Sequence, residues 1–123
     1  MNDNQNPECS VDLDRLREVT CGDQQLLQDI CGQYVDQADQ IINELDAAIE
    51  DEDQVRVRHL AHKLAGSSAT CGMNAVVKPL QALENLQPYV NSEALELLRH
   101  ISRQMELIRT EISKLATSAN PST

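Results

Sequence analysis

The sequence predicts an all-α protein: an antiparallel up-down four-helix bundle with a short additional N-terminal helix. Three observations favour this fold. Apolar residues recur every three or four positions along most of the chain, and no segment shows the alternation of a strand. The chain has two Tyr, no Phe and no Trp, so its core must be mainly aliphatic, which suits helices. Its 123 residues are enough for one domain with one core.

Capping residues place the first two helices. A short helix is expected over Asp12–Thr20, with Gly22 as its stop. Asp23 can cap a second helix of about seven turns, which the acidic run Glu50–Asp53 ends. The apolar positions of this second helix are Leu27, Ile30, Tyr34, Ala38, Ile41, Leu45 and Ile49.

The third helix is predicted over Gln54–Cys71, with Asp53 as its cap and Gly72 after its end. At 100° per residue one side of this helix faces the core. The residues on that side are Val57, Leu60, Ala61, Leu64, Ser68 and Cys71.

Two further helices complete the predicted bundle. The fourth covers roughly Asn74–Leu86, where Pro79 either kinks the helix or marks its true first turn. Ser92 is expected to cap the fifth helix. The apolar seam of the fifth helix contains Ala94, Leu98, Ile101, Met105, Ile108, Ile112 and Leu115.

The domain is expected to span residues 11–117, with disordered tails at 1–10 and 118–123. No segment of 18 apolar residues and no leader peptide is visible, which predicts a cytoplasmic protein without a membrane association. The four cysteines form no CxxC pair and are expected to be reduced thiols, with Cys71 in the core.

Charge is unevenly distributed along the chain. The net charge is −10, with −13 in residues 1–53 and +3 in residues 54–123. Such an acidic chain is a poor candidate for binding nucleic acid, which requires a basic surface. A small basic cluster nevertheless surrounds His62, formed by Arg56, Arg58 and Lys63.

His62 is predicted to point away from the core, because Leu60 and Leu64 lie about 160° from it around the helix. Within residues 58–71, five residues lie within about 60° of His62, and we name the surface that they form with it the docking face: Arg58, His59, Ala65, Gly66 and Ala69. A glycine inside a helix costs about 1 kcal/mol relative to alanine. The small residues around His62 therefore indicate a place where another macromolecule approaches the imidazole.

Several kinds of site can be weighed at His62. A nucleophilic triad is disfavoured, because Ser67 and Ser68 lie on the other side of the helix. His59 and His62 have a spacing that can bind metal, but neither an HExxH motif nor the Glu-x-x-His pairs of di-iron bundles are present. We therefore expect no metal and no cofactor. Acceptance of a phosphoryl group by the imidazole remains, and it needs an exposed ring, an oriented tautomer and nearby positive charge.

The segment "HKLAGSSATCG", together with "LQALE" on the next helix, resembles the histidine-containing phosphotransfer (Hpt) domains of bacterial two-component phosphorelays. The short first helix with "DLDRL" and the order of the helices extend the resemblance over most of residues 11–116. The residues that match the motif are His62, Leu64, Gly66, Ser67, Ser68, Gly72, Leu83 and Glu84.

The resemblance implies that His62 accepts the phosphoryl group and that receiver domains of response regulators and hybrid kinases are its partners. Glu84 matches a position that in some members hydrogen-bonds the far nitrogen of the histidine. Ala65 departs from the family, which usually has lysine there, so Arg58 and Lys63 are the candidate replacement cations. Magnesium is expected on the receiver only. The chain is then a carrier without a kinase centre, since it has no P-loop, and an exposed docking face favours a monomer.

Two alternatives remain open at this stage. The first is a binding module of the same ancestry that docks a receiver or another regulator without carrying phosphate, and Ala65 supports it. The second is a metal-binding bundle that uses His59, His62 and acidic residues of the second helix.

Overall fold

A computed structural model describes residues 11–118 of the chain, and within this range it contains helices and no strand. The all-α prediction is confirmed. The helices are α1 (Leu13–Val19), α2 (Gln24–Glu50), α3 (Gln54–Thr70), α4 (Asn74–Glu84) and α5 (Asn91–Ser118).

Four of the helices form the bundle. α2 packs against α3 and α5, and α4 packs against the same two helices, so the four surround one core. The links at residues 51–53, 71–73 and 85–90 are short, which makes consecutive helices antiparallel. α1 lies at one end of the bundle, where the Asp12 amide donates to the Gly72 carbonyl at 2.7 Å and Arg15 Nε donates to the Thr70 carbonyl at 3.1 Å.

Aspartate caps define where α1, α2 and α3 begin. The caps are Asp12, Asp23 and Asp53, and each carboxylate accepts a hydrogen bond from a backbone amide three residues later, at 3.1, 3.1 and 3.2 Å. Each cap is worth about 1 kcal/mol, because it satisfies an amide that has no partner inside the helix. The predicted caps Asp23 and Asp53 are confirmed, whereas Asp12, predicted as the first residue of α1, is its cap, and α1 begins at Leu13.

The core follows the predicted apolar stripes closely. On α3 the expected core residues are buried except Cys71, which is half-buried because it lies at the helix end, one residue beyond Thr70. On α2 the buried thiol is Cys31, next to the half-buried Ile30. Burial raises the pKa of both Cys31 and Cys71. The cysteines in the described range are free thiols.

A polar contact joins α2 to α3 inside this core. Tyr34 and Ser68 are 3% and 0% exposed, and their hydroxyl oxygens share a hydrogen bond of 2.6 Å. Burial raises the pKa of Tyr34 to about 12 although the bond from Ser68 acts in the opposite direction. The hydroxyl pair therefore stays neutral and fixes how α2 and α3 face each other.

Some predicted boundaries are wrong. α4 begins at Asn74, as predicted, but ends at Glu84 rather than Leu86, and Pro79 lies in its interior, so the alternative in which the helix starts at the proline is wrong. α5 already includes Asn91, which places Ser92 inside the first turn rather than at the cap. Ser118, predicted as the start of the C-terminal tail, is helical. The rest of that tail, 119–123, and the predicted tail at 1–10 lie outside the described residues.

Gly72 should be more sensitive to substitution than Gly22, although both have φ of +75°. A Cβ at Gly72 would lie 2.8 Å from the Asp12 carbonyl oxygen, whereas a Cβ at Gly22 has no neighbour within 4 Å. We expect Gly22→Ala to lower the free energy of unfolding by about 1 kcal/mol and Gly72→Ala by about 3 kcal/mol. Urea unfolding followed by circular dichroism measures both. Equal losses of unfolding free energy in the two variants would show that α1 does not pack closely against the end of α3.

Candidate functional site

His62 lies on the exposed side of α3, as predicted. Its side chain is 75% exposed, whereas Leu60 and Leu64 on the opposite side of the helix are 5% and 0% exposed. The imidazole is thus held on a rigid, buried helix and is open to an approaching partner.

Glu84 is the last residue of α4, and its side chain extends to the His62 ring. Its Oε2 lies 2.7 Å from Nδ1 of His62, and its side chain is 27% exposed, much less than the ring. A carboxylate can only accept, so we assign the proton to Nδ1, which donates to Glu84. The neutral ring then presents Nε2 with a free lone pair, which is the nucleophilic nitrogen of an imidazole.

Small residues leave space beside the ring. Gly66 is exposed, and a Cβ built on it would have no neighbour within 4 Å. It borders a groove of about 540 Å³ between α2 and α3, to which Ile30 and Gln37 of α2 also contribute. Ala69 is exposed one turn further along α3. No packing need inside the described part of the protein explains the absence of a side chain at Gly66.

The prediction that Ala65 belongs to the exposed docking face is wrong, because its side chain is 6% exposed and belongs to the core. The reason is the position of α4. Glu84 and Asn85 line a cleft together with Arg58, which lies on the same side of His62 as Ala65. α4 therefore packs against a wider part of the α3 surface than the apolar stripe of α3 predicted, and this part includes Ala65.

The positive side chains have different surroundings. Arg58 is half-buried, donates from Nη2 to Gln54 Oε1 at 3.3 Å, and lines the cleft of about 370 Å³ that contains Glu84. Lys63 and His59 are both exposed. None of the three forms an ion pair with a carboxylate in the described part of the chain. The charges of Arg58 and Lys63 remain available to an anionic partner.

The two serines of the motif differ in position. Ser68 is fully buried against Tyr34, and the half-buried Ser67 borders the groove between α2 and α3. Neither lies beside His62, so the exclusion of a nucleophilic triad holds. The hydrogen bond between Tyr34 and Ser68 was not predicted, although a serine on the core side of a helix requires a buried partner and the chain has only two tyrosines.

A metal centre finds no support in residues 11–118, because no group of three or more His, Cys, Asp or Glu side chains lies close enough together to hold an ion. His59 and His62 lack a third ligand there. None of the helices in this part is both long and apolar enough to cross a membrane.

Comparison with known proteins identifies the family. The Hpt domain model matches residues 29–118. The solved X-ray structure of a rice protein assigned as a histidine-containing phosphotransfer protein superposes with a TM-score of 0.79 at 20% identity, covering 88% of this chain and 80% of that one. No curated protein matches significantly.

The chain belongs to the Hpt domain family, and the rice structure shows the same fold. Its role is phosphotransfer in a phosphorelay, where Hpt proteins act as carriers and interact with receiver domains. The similarity to a rice protein means that the resemblance is not confined to bacteria.

Replacement of Glu84 should change the tautomer of His62 while the protein stays folded. Without the carboxylate at 2.7 Å, the proton of the neutral ring moves toward Nε2, the form that histidine prefers in water. We expect Glu84→Ala to slow reactions of the ring at Nε2 about fivefold, since a partly exposed pair contributes about 1 kcal/mol. Ring ¹⁵N chemical shifts report the tautomer directly.

Glu96→Gln is the control, because Glu96 is exposed on α5, which does not carry the site. Unchanged ring shifts in Glu84→Ala would contradict the positioning role of Glu84.

Proposed function

We propose that His62 is the phosphoacceptor of this phosphotransfer protein and that its Nε2 takes the phosphoryl group from a receiver aspartate. The observation that carries the proposal is the combination of a 75% exposed ring with an Nδ1 held at 2.7 Å from Glu84. Exposure lets the donor approach in line, and the hydrogen bond keeps the attacking nitrogen unprotonated.

The transfer step balances without an added reagent. The Nε2 lone pair forms the P–N bond as the P–O bond to the aspartate breaks, and the bonding electron pair leaves with the receiver carboxylate. Nδ1 keeps its proton, so the phosphorylated ring carries a positive charge next to the Glu84 carboxylate. That carboxylate favours the charged product, and transfer to a second receiver is the same step in reverse.

Arg58 and Lys63 are the proposed cations of the site. Ala65 is buried where the family usually has lysine, so positive charge must come from neighbouring positions. Arg58 lines the cleft beside Glu84 and is fixed by Gln54, and Lys63 is exposed next to His62 in the chain. A cation at this rim attracts both the phosphoryl group and the acidic pocket of a receiver.

The remaining features of the proposal follow from the carrier role. The chain supplies the nucleophile and the docking face, while the magnesium ion belongs to the receiver and no kinase centre is needed. We propose a cytoplasmic monomer whose partners are receivers, with neither nucleic acid nor membrane among them. The net charge of −10 and the exposure of His62 support this proposal.

Incubation with a phosphorylated receiver should label the protein with acid-labile, alkali-stable phosphate. His62→Gln should abolish labelling, because no other nitrogen in residues 11–118 has both exposure and the bond to Glu84. His100→Gln is the matched control, an exposed histidine on α5 that should leave labelling at about the wild-type rate.

Labelled His62→Gln protein would place the acceptor elsewhere. A wild-type chain that binds receivers but is never labelled would favour the phosphorylation-independent binding module, which the buried Ala65 keeps in consideration.

Substitutions of Gly66 provide a second test, which asks whether a partner needs the open space beside the His62 ring. Gly66→Ala should raise the free energy of unfolding by about 1 kcal/mol, because the added methyl enters open space in the interior of a helix. Gly66→Gln should remain folded yet reduce kcat/KM for transfer from the receiver at least about tenfold, since its side chain occupies the approach path. Transfer that is equally fast in both variants would show that the open space at Gly66 serves no partner.

A further inference from the structure

Val55 is an apolar side chain in a position that packing does not explain. It is the second residue of α3 and is 72% exposed. The other exposed large apolar side chains in the described range, Leu26, Val90 and Leu107, are 40%, 37% and 50% exposed. Val55 thus has the least contact of these four with the rest of the fold.

Val55 lies in line with His62 along α3. Residues seven apart on an α-helix are displaced by only about 20° around the axis and about 10 Å along it. Val55, His62 and Ala69 therefore form one row on the exposed side of α3, with His62 at the centre. Any partner that spans the row symmetrically about His62 covers Val55 at one end and Ala69 at the other.

The chemistry of Val55 suits a partner rather than water. A β-branched residue is a weaker helix former than the lysine, glutamate or glutamine that usually occupies such positions. Single exposed apolar residues are common and need no explanation by themselves. Val55 is distinguished by its continuity with the docking face, because Arg58 and His59 fill the turn between it and His62.

We propose that Val55 is an apolar anchor for the receiver and extends the docking face to the first turn of α3. The inference rests on the proposed function of His62. The fitting partner has an apolar side chain about 10 Å from its phosphorylated aspartate, on the side that faces the start of α3. Carboxylates between these two points would meet Arg58 and His59, so the row selects receivers by both shape and charge.

The test is Val55→Thr, a substitution that keeps the shape of the side chain and replaces one methyl by a hydroxyl. A receiver that labels the wild-type protein serves as the phosphodonor. We expect KM for that receiver to rise about tenfold, or 1.4 kcal/mol, with kcat within about twofold of wild type, because the contact is made equally before and during transfer. Val55→Leu should restore KM to within about twofold of the wild-type value.

Leu107→Thr is the matched control, a similar change at a half-exposed position of α5, and its KM should not change. Labelling of His62 by phosphoramidate, a donor too small to reach Val55, should be equally fast in all variants. An unchanged KM for Val55→Thr, an equal loss in Leu107→Thr, or slower labelling by phosphoramidate would each overturn the proposal. Failure of His62 itself is separate, since labelling would then be absent from the wild-type chain or would persist in His62→Gln.

Discussion

Close packing of α3 against α4 is the constraint on which the site depends. Ala61 and Ala65 are 0% and 6% exposed on the side of α3 that faces α4, and their small side chains permit a close approach of the two helices. The Glu84 side chain at the end of α4 reaches Nδ1 of His62 at 2.7 Å across this interface. A larger residue at position 65 would have to extend out of this interface, as a flexible lysine can. The alanine that removes a cation therefore belongs to the packing that orients the histidine.

The negative and the positive groups of the site have different roles: the carboxylate binds the imidazole, and the cations remain free to meet a partner. The Glu84 carboxylate is the more shielded member of the pair and is committed to Nδ1. The cationic side chains of Arg58 and Lys63 remain without carboxylate partners among residues 11–118. A chain of net charge −10 thereby offers an anionic partner positive charge next to His62.

Local signals in the sequence were sufficient for the existence of the helices and for the exposure of His62, and they failed where neighbouring helices decide the outcome. The aspartate caps and the apolar periods depend on residues within one or two turns, so Asp23 and Asp53 could be placed correctly. The burial of Ala65 depends on the position of α4, and a helical projection of α3 alone gives no information about that position. Ser92 has the right residue type for a cap, but the chain is already helical at Asn91.

α1 has a consequence for how this domain can be divided. The match to the Hpt domain model begins at residue 29, inside α2, and leaves α1 outside. Yet Leu16 is fully buried, and the Thr70 and Gly72 carbonyls at the end of α3 accept hydrogen bonds from Arg15 and Asp12. A fragment cut at the family boundary would expose the core under Leu16 and loosen the end of the helix that carries His62. The smallest autonomous unit of this phosphocarrier is therefore larger than its recognisable motif, and it includes the residues from Val11 onward.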